Sequence, residues 1–144
     1  MEDILKYENR DQLYKFLLDD FGFIIIEEQY DSDNFGNFLI TLSNNEILIK
    51  YIKDRSFLSI DIANERFPSE SIDLSFVRDY INNTYETNEE IKKLTNTVRI
   101  ELLNNFLKED FYKISELFNN QNYSDNRKKI GEYLKKKFID QYGL

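Results

Sequence analysis

The stretch "NFLITLSNNEILIKYIKDRSFLSIDI", residues Asn37–Ile62, decides the fold. It contains three runs rich in Ile, Leu and aromatic residues, joined by short polar links, which is typical of consecutive β-strands. We place two-residue turns at Asn44-Asn45, where Asn tolerates a positive φ, and at Asp54-Arg55. The stretch therefore predicts two antiparallel hairpins that share their middle strand.

The two turns together predict which side chains share a face of the sheet. Leu42 then lies opposite Ile47, and Tyr51 lies opposite Phe38 and Leu58, because opposed residues share a face. All nine side chains on that face are apolar: Phe38, Ile40, Leu42, Ile47, Ile49, Tyr51, Leu58, Ile60 and Ile62. The other face is mixed. Its apolar members need a cover, which we expect from the chain's own C-terminal helices: Leu39, Leu48, Ile52 and Phe57.

The residues before this stretch predict a helix and one more strand. Asn9 is a candidate N-cap, and Gly22 supplies the left-handed residue that ends a helix. The β-branched run "FIIIEEQY", residues 23–30, predicts a strand with much of both faces covered.

The residues after the stretch predict helices. One begins near Ser71 or Asp73, and Thr87–Glu90 is a capping box that opens a long helix with Ile91, Leu94, Val98 and Leu102 on its apolar stripe. A kink is expected near Asp110, and Ser124 or Asp125 begins the last helix. The chain is thus predicted to be one α+β domain, residues 1–144. It has an N-terminal helix, a four-stranded antiparallel meander and three or four C-terminal helices packed on the sheet.

The composition narrows the possible chemistry. The 144 residues include no His and no Cys, which excludes Ser-His-Asp and Cys-His nucleophile systems and zinc sites of the usual ligand types. Adjacent carboxylates such as Glu27-Glu28 diverge in a strand and do not form an acid–base pair by themselves. We therefore expect no catalytic residues, no metal and no cofactor. The N-terminus lacks an uninterrupted apolar run, so a cytoplasmic location without membrane contact is expected.

The segment "YDSDNFGN", Tyr30–Asn37, resembles the first half of a calcium loop. The fifth loop position is Phe35, which has no side-chain donor, and the twelfth is Leu42, which is predicted to face the core. Asp, Ser, Asn and Gly are also the residues that hairpin links require. We interpret the segment as a link between strands.

The net charge of −8 is unevenly distributed, because six Lys or Arg and only three acids follow Gln121. The acidic body disfavours general binding to nucleic acid. Arg127–Lys129 and Lys135–Lys137 could contact phosphates, or could pair with the acidic body.

Two stretches, "ILIKYIKDRSFLSIDIANERF" and "LLNNFLKEDFYKISELFNNQNYSDNRKKIGEYLKKKF", resemble small acidic bacterial immunity proteins of polymorphic toxin systems. The resemblance implies a non-enzymatic cytoplasmic protein that occludes the active site of a cognate toxin domain. We expect a basic protein partner, bound by an acidic and aromatic segment on the first predicted strand and the link that follows it: Glu27, Glu28, Tyr30, Asp31, Asp33 and Phe35.

Three alternatives remain open. A secretion-type chaperone would form a stable homodimer. A carboxylate- and Mg²⁺-dependent enzyme would bring at least three carboxylates together in a cleft. A DNA-mimicking inhibitor would present a regular array of acids.

Overall fold

The computed structural model describes residues 6–83 and 91–142, with side chains through Asp140. The helices are α1 (Asp11–Asp20), α2 (Leu74–Asn82), α3 (Asn96–Phe118) and α4 (Tyr123–Tyr142). The strands are β1 (Ile24–Asp31), β2 (Asn37–Ser43), β3 (Ile47–Asp54), β4 (Phe57–Asn64) and β5 (Ile72–Asp73). The α+β class and the leading helix are confirmed. No helix in the described ranges is long and apolar enough to cross a membrane.

The five strands form one antiparallel sheet in the order β1-β2-β3-β4-β5. The predicted four-stranded meander is therefore one strand short. The fifth strand, β5, has two residues, and its Asp73 also caps α2 by accepting a hydrogen bond from the Ser75 amide at 2.9 Å. A strand of two residues has no periodicity for sequence reasoning to detect.

Both predicted turns are displaced by one residue. The first turn is centred on Asn45-Glu46, so Leu42 pairs with Ile49 rather than Ile47. Asn44 Oδ1 accepts hydrogen bonds from the amides of Glu46 and Ile47 at 3.0 and 2.8 Å. Asn44 thus anchors the turn from its flank, and the positive φ falls on Asn45.

The second turn is centred on Arg55-Ser56, and both residues have positive φ, as a type I′ turn requires. Tyr51 pairs with Ile60 rather than Leu58. Moving a turn by one residue changes the register by two, and a strand's side chains alternate with period two. The predicted faces are therefore correct although both registers are wrong.

The predicted apolar face is the core of the protein. Its nine side chains are buried, and they form one cluster with apolar side chains of all four helices. The Tyr51 hydroxyl donates to Asn104 Oδ1 at 2.8 Å, and Asn104 Nδ2 donates to the Leu13 carbonyl at 2.9 Å. These two bonds join the sheet, α3 and α1, so the buried hydroxyl is satisfied.

The helix ends agree with the sequence only in part. The left-handed Gly22 that follows α1 and the non-helical backbone at Asp110 inside α3 are confirmed. The residue preceding α1 is Arg10, so the expected cap at Asn9 is wrong. Helix α4 begins at Tyr123, one residue before the first predicted start.

The predicted start of the long helix, Thr87–Glu90, lies outside the described residues. The long helix α3 begins at Asn96, where the Thr95 hydroxyl accepts from the Val98 amide at 3.3 Å. Val98 is 46% exposed, so the predicted apolar stripe is wrong at that position.

The helices pack on one face of the sheet. Leu39, Leu48, Ile52 and Phe57, on the other face, are not part of the cluster that the helices form with the core face. A C-terminal helix contacts one of these four, since Arg99 of α3 lies over the Phe57 ring at 4.0 Å, and Leu48 is only 5% exposed. Within the described residues, the expectation that the C-terminal helices cover this face is therefore met only at Phe57. Polar side chains reach over part of this face, since Thr41 donates to Glu27 Oε1 at 3.3 Å and Ser43 donates to Glu65 Oε1 at 3.1 Å.

Candidate protein-binding surface

Strand β1 is exposed along its whole length. All eight of its residues are exposed, including Ile24 at 61% and Ile26 at 51%. The expectation that both faces of this strand are covered is wrong. The β-branched run correctly indicates a strand. Burial depends on whether other elements reach it, and β1 lies at the edge of the sheet with no residue in the core cluster that the helices form.

A bulge divides β1 into two halves. The register shifts between Ile25 and Glu27, so Ile26 has no residue opposite it in β2. Ile24 and Ile25 precede the shift, Ile26 lies within it, and the acidic residues follow it. The strand thus presents an apolar half and an acidic half, with the local bend that a bulge produces between them.

The six predicted binding residues are all exposed, and they lie on β1 and the turn that follows it. Glu27, Glu28, Tyr30 and Asp31 belong to β1, whereas Asp33 and Phe35 belong to the turn. They do not share one face. Glu28 and Tyr30 pair with the core residues Ile40 and Phe38, while Glu27 pairs with Thr41 on the opposite face.

Glu28 and Tyr30 contact the segment that precedes and opens α1. Glu28 Oε1 accepts from Arg10 Nε at 2.8 Å, and Arg10 also lies over the Tyr7 ring at 4.0 Å. The Tyr30 ring stacks on Tyr7 with 4.2 Å between centroids. Sequence reasoning missed Tyr7 and Arg10, because nothing in the local pattern indicates that this segment packs beside β1.

The turn after β1 is built by its own polar side chains. Asp31 Oδ1 accepts from the Asp33 amide at 3.1 Å, and the Asp31 carbonyl accepts from the Asn34 amide at 3.3 Å. Phe35 and Gly36 both have positive φ, and the Phe35 ring is 70% exposed. The segment forms the hairpin link that the sequence predicts. In the part of the chain that the structure describes, no three acidic side chains group as metal ligands would.

Two clefts meet at the end of this hairpin. One has a volume of about 470 Å³ and is lined by Gln29, Leu39 and Ile52 together with Asp31 and Asp54. The other, of about 390 Å³, lies against Tyr7 and Gly36. Tyr30 and Lys53 line both clefts. Leu39 and Ile52 are two of the apolar outer-face residues for which the sequence analysis expected a cover. They line the first cleft together with Tyr30 and Asp31 of the predicted acidic and aromatic segment.

A row of polar residues crosses the outer face of the sheet from β1 to β5. The register places Glu27, Thr41, Lys50, Asp61 and Asp73 side by side on successive strands. Burial raises the pKa of Asp61 to about 6, the Asp73 charge adds to this effect, and Lys50 opposes it. Asp73 is occupied with the amide and hydroxyl of Ser75. At the β5 end of the row, Asp73 therefore serves to cap α2. Of the five residues, only Glu27 is fully exposed.

The basic C-terminal helix is partly used for packing. Lys137 is buried and forms an ion pair with the buried Asp79 of α2, and Arg127 pairs with Glu70. The sequence left open whether the basic residues of this helix contact phosphates or pair with acidic residues of the same chain. Arg127 and Lys137 do the latter. Lys128, Lys129, Lys135 and Lys136 are exposed on α4.

No protein family, no curated protein and no solved structure matches this chain. The chemistry of the exposed surface therefore carries the functional argument. It combines apolar side chains, aromatic rings and carboxylates on one edge of the sheet.

Proposed function

We propose that the chain is a non-enzymatic protein-binding module that neutralises a basic protein, in the manner of an immunity protein that occludes the active site of a cognate bacterial toxin domain. The observation that carries this proposal is the exposed strand β1, on which isoleucines lie directly beside carboxylates.

Charge supports a basic partner. The chain has a net charge of −8, and no cation of the described residues forms an ion pair with Glu27, Asp31 or Asp33. Exposed carboxylates without a paired cation accelerate association with a positively charged surface and fix the orientation of that surface. A nuclease-like cleft lined by Lys and Arg is one such surface.

Exposed apolar side chains support tight binding after the first encounter. Ile24, Ile26, Tyr30 and Phe35 leave much of their surface in water in the free chain. Burying apolar area contributes roughly 25 cal/mol per Å², and buried aromatic anchors usually dominate interface energies. Carboxylates beside such anchors would contribute to rate and specificity rather than to most of the affinity.

The test begins with purification of the tagged chain from its native cells and mass spectrometry of proteins that co-elute at equal stoichiometry. The co-eluting protein is then produced separately, and its toxicity or enzymatic activity is measured with and without the chain. We expect a basic protein whose activity is abolished at a one-to-one ratio. Co-elution of small molecules alone, or a partner whose activity is unaffected, would refute the proposal.

Matched variants locate the surface. Glu27→Lys with Asp31→Lys reverses two charges on β1, and Glu132→Lys with Asp140→Lys makes the same change on the exposed side of α4. We expect only the β1 pair to slow association, by about tenfold or more at low salt. Equal effects of the two pairs would place the contact elsewhere.

A further inference from the structure

The edge of β1 that does not pair with β2 exposes backbone hydrogen-bonding groups as well as side chains. In the described sheet β1 has one neighbour, β2, and its other edge faces no strand. About every second residue of such an edge strand directs its N–H and C=O groups away from the sheet, where another strand can bind them.

The side chains beside this edge restrict which strand can be added. Ile24–Ile26 provide apolar contacts on one half, and Glu27 and Glu28 provide adjacent carboxylates on the other half. Glu28 already has a cation, Arg10 at 2.8 Å, whereas among the described residues Glu27 accepts from the neutral groups of Thr41 and Gln29. An added residue opposite Glu27 therefore gains most from a positive charge.

Building on the proposed function, we infer that the partner contributes an extended segment that adds a sixth, antiparallel strand to β1. The segment carries two adjacent Lys or Arg residues opposite Glu27 and Glu28, followed towards its C-terminus by β-branched residues opposite Ile24–Ile26. Backbone hydrogen bonds supply affinity in this mode, and the side chains supply specificity.

A second copy of the chain fits this edge poorly. An antiparallel pairing over the full length of β1 would place Glu27 of each copy opposite Glu28 of the other. Like charges directly opposite one another destabilise a sheet. The bulge at Ile26 further interrupts regular self-pairing. The adjacent carboxylates that discourage self-association are thus the ones that favour a basic strand.

The test uses the full chain and a set of acetylated eight-residue peptides. The parent peptide has two central arginines and three β-branched residues at its C-terminal end. Two derivatives carry N-methyl groups, one at the odd positions and one at the even positions. Because alternate amides of a strand face opposite edges, one derivative blocks pairing with β1 and the other leaves it intact. A fourth peptide has glutamates in place of the arginines.

Binding is measured by fluorescence anisotropy, and the site is located by hydrogen exchange of the β1 amides. We expect the parent and one methylated peptide to bind and to protect β1. We expect the other methylated peptide, which cannot form backbone hydrogen bonds with β1, to lose about tenfold or more in affinity. We expect a similar loss for the glutamate peptide, whose carboxylates would lie opposite Glu27 and Glu28.

The outcomes separate this inference from the proposed function. Equal affinity of the two methylated peptides, or no protection of β1, overturns strand addition even if the arginine peptide binds. Dimerisation of the chain through β1 overturns it as well. If the native partner still binds through Glu27 and Asp31 in these cases, the proposed function stands without strand addition. If the native partner is insensitive to those residues while the parent peptide adds to β1, the placement of the functional surface fails instead.

Discussion

The two edges of the sheet are built differently. At one edge, β5 has two residues, and α2 begins at the next residue, Leu74, which is buried. At the other edge, β1 has eight residues and all are exposed. In the described part of the chain, the sheet thus ends at one edge in a short strand that leads directly into a helix, the closed edge, and at the other in a long exposed strand, the open edge. The open edge has a bulge and carboxylates, the usual protection of an edge against uncontrolled pairing.

The largest expected effect concerns the buried ion pair between Asp79 of α2, the helix at the closed edge, and Lys137 of α4. Asp79→Ala would leave Lys137 buried without its carboxylate, which costs about 3–5 kcal/mol in comparable cases. Urea unfolding followed by circular dichroism measures the change. Lys136→Ala, at an exposed neighbouring position, is the control and should change the free energy of unfolding by less than about 0.5 kcal/mol. Similar effects of both substitutions would show that the pair does not hold α4 to α2.

The same truncation at opposite ends of the sheet compares the edges directly. Ile62→Ala in β4 removes fully buried methyl groups and should cost about 2–5 kcal/mol, whereas Ile24→Ala in β1 should cost less than about 0.5 kcal/mol. Chemical denaturation of both variants tests this. A substantial loss for Ile24→Ala would mean that β1 is covered in solution, and the open-edge account would then be wrong.

The polar row that joins the two edges predicts a dependence on pH. Burial, with the Asp73 charge, raises the folded-state pKa of Asp61 to about 6 from its ordinary value of 3.8. Between these two pH values the folded state binds more protons than the unfolded state, so this carboxyl group makes stability fall as pH rises. The contribution is fully unfavourable above about pH 6.

Asp61→Asn should therefore be more stable than the parent chain at pH 7, by an amount smaller than the effect of Ile62→Ala. Near pH 4 the two chains should be equally stable. Free energies of unfolding at several pH values measure the difference. A difference that does not change with pH would show that Asp61 keeps an ordinary pKa.

The smallest expected effect concerns the ion pair beside the open edge. Arg10→Ala removes a partly exposed partner of Glu28 and should cost about 0.2–1 kcal/mol of stability. It should also increase the salt dependence of partner association, because Glu28 then faces the partner uncompensated. Stopped-flow association at two salt concentrations measures this, with Lys15→Ala on the exposed side of α1 as the control. An unchanged salt dependence would place the encounter away from Glu28.

Part of the candidate surface could be predicted from local sequence. The sequence predicts an acidic and aromatic binding segment, and all six of its residues are exposed in the structure: Glu27, Glu28, Tyr30, Asp31, Asp33 and Phe35. The isoleucines of β1 were expected to be covered and are not. Local sequence indicates that a β-branched run forms a strand, but it does not indicate how far the helices extend across the sheet.

Buried charges were equally difficult to predict. Arg99 is buried and donates to the Leu58 carbonyl through Nε at 3.1 Å and Nη2 at 2.8 Å, and burial lowers its pKa. Lys137 is the third residue of a lysine run that resembles a solvated face. In both cases the partner is more than 40 residues away along the chain, so no local pattern reports the contact.

The order of residues alone determined which side chains of β2, β3 and β4 face the core. It did so although both turns were misplaced, because side chains alternate with period two and each displaced turn moved the register by two. Only the tertiary structure decided which face the helices cover and which edge stays open. Those outcomes depend on contacts between segments far apart in the chain, and such contacts leave no period in the sequence.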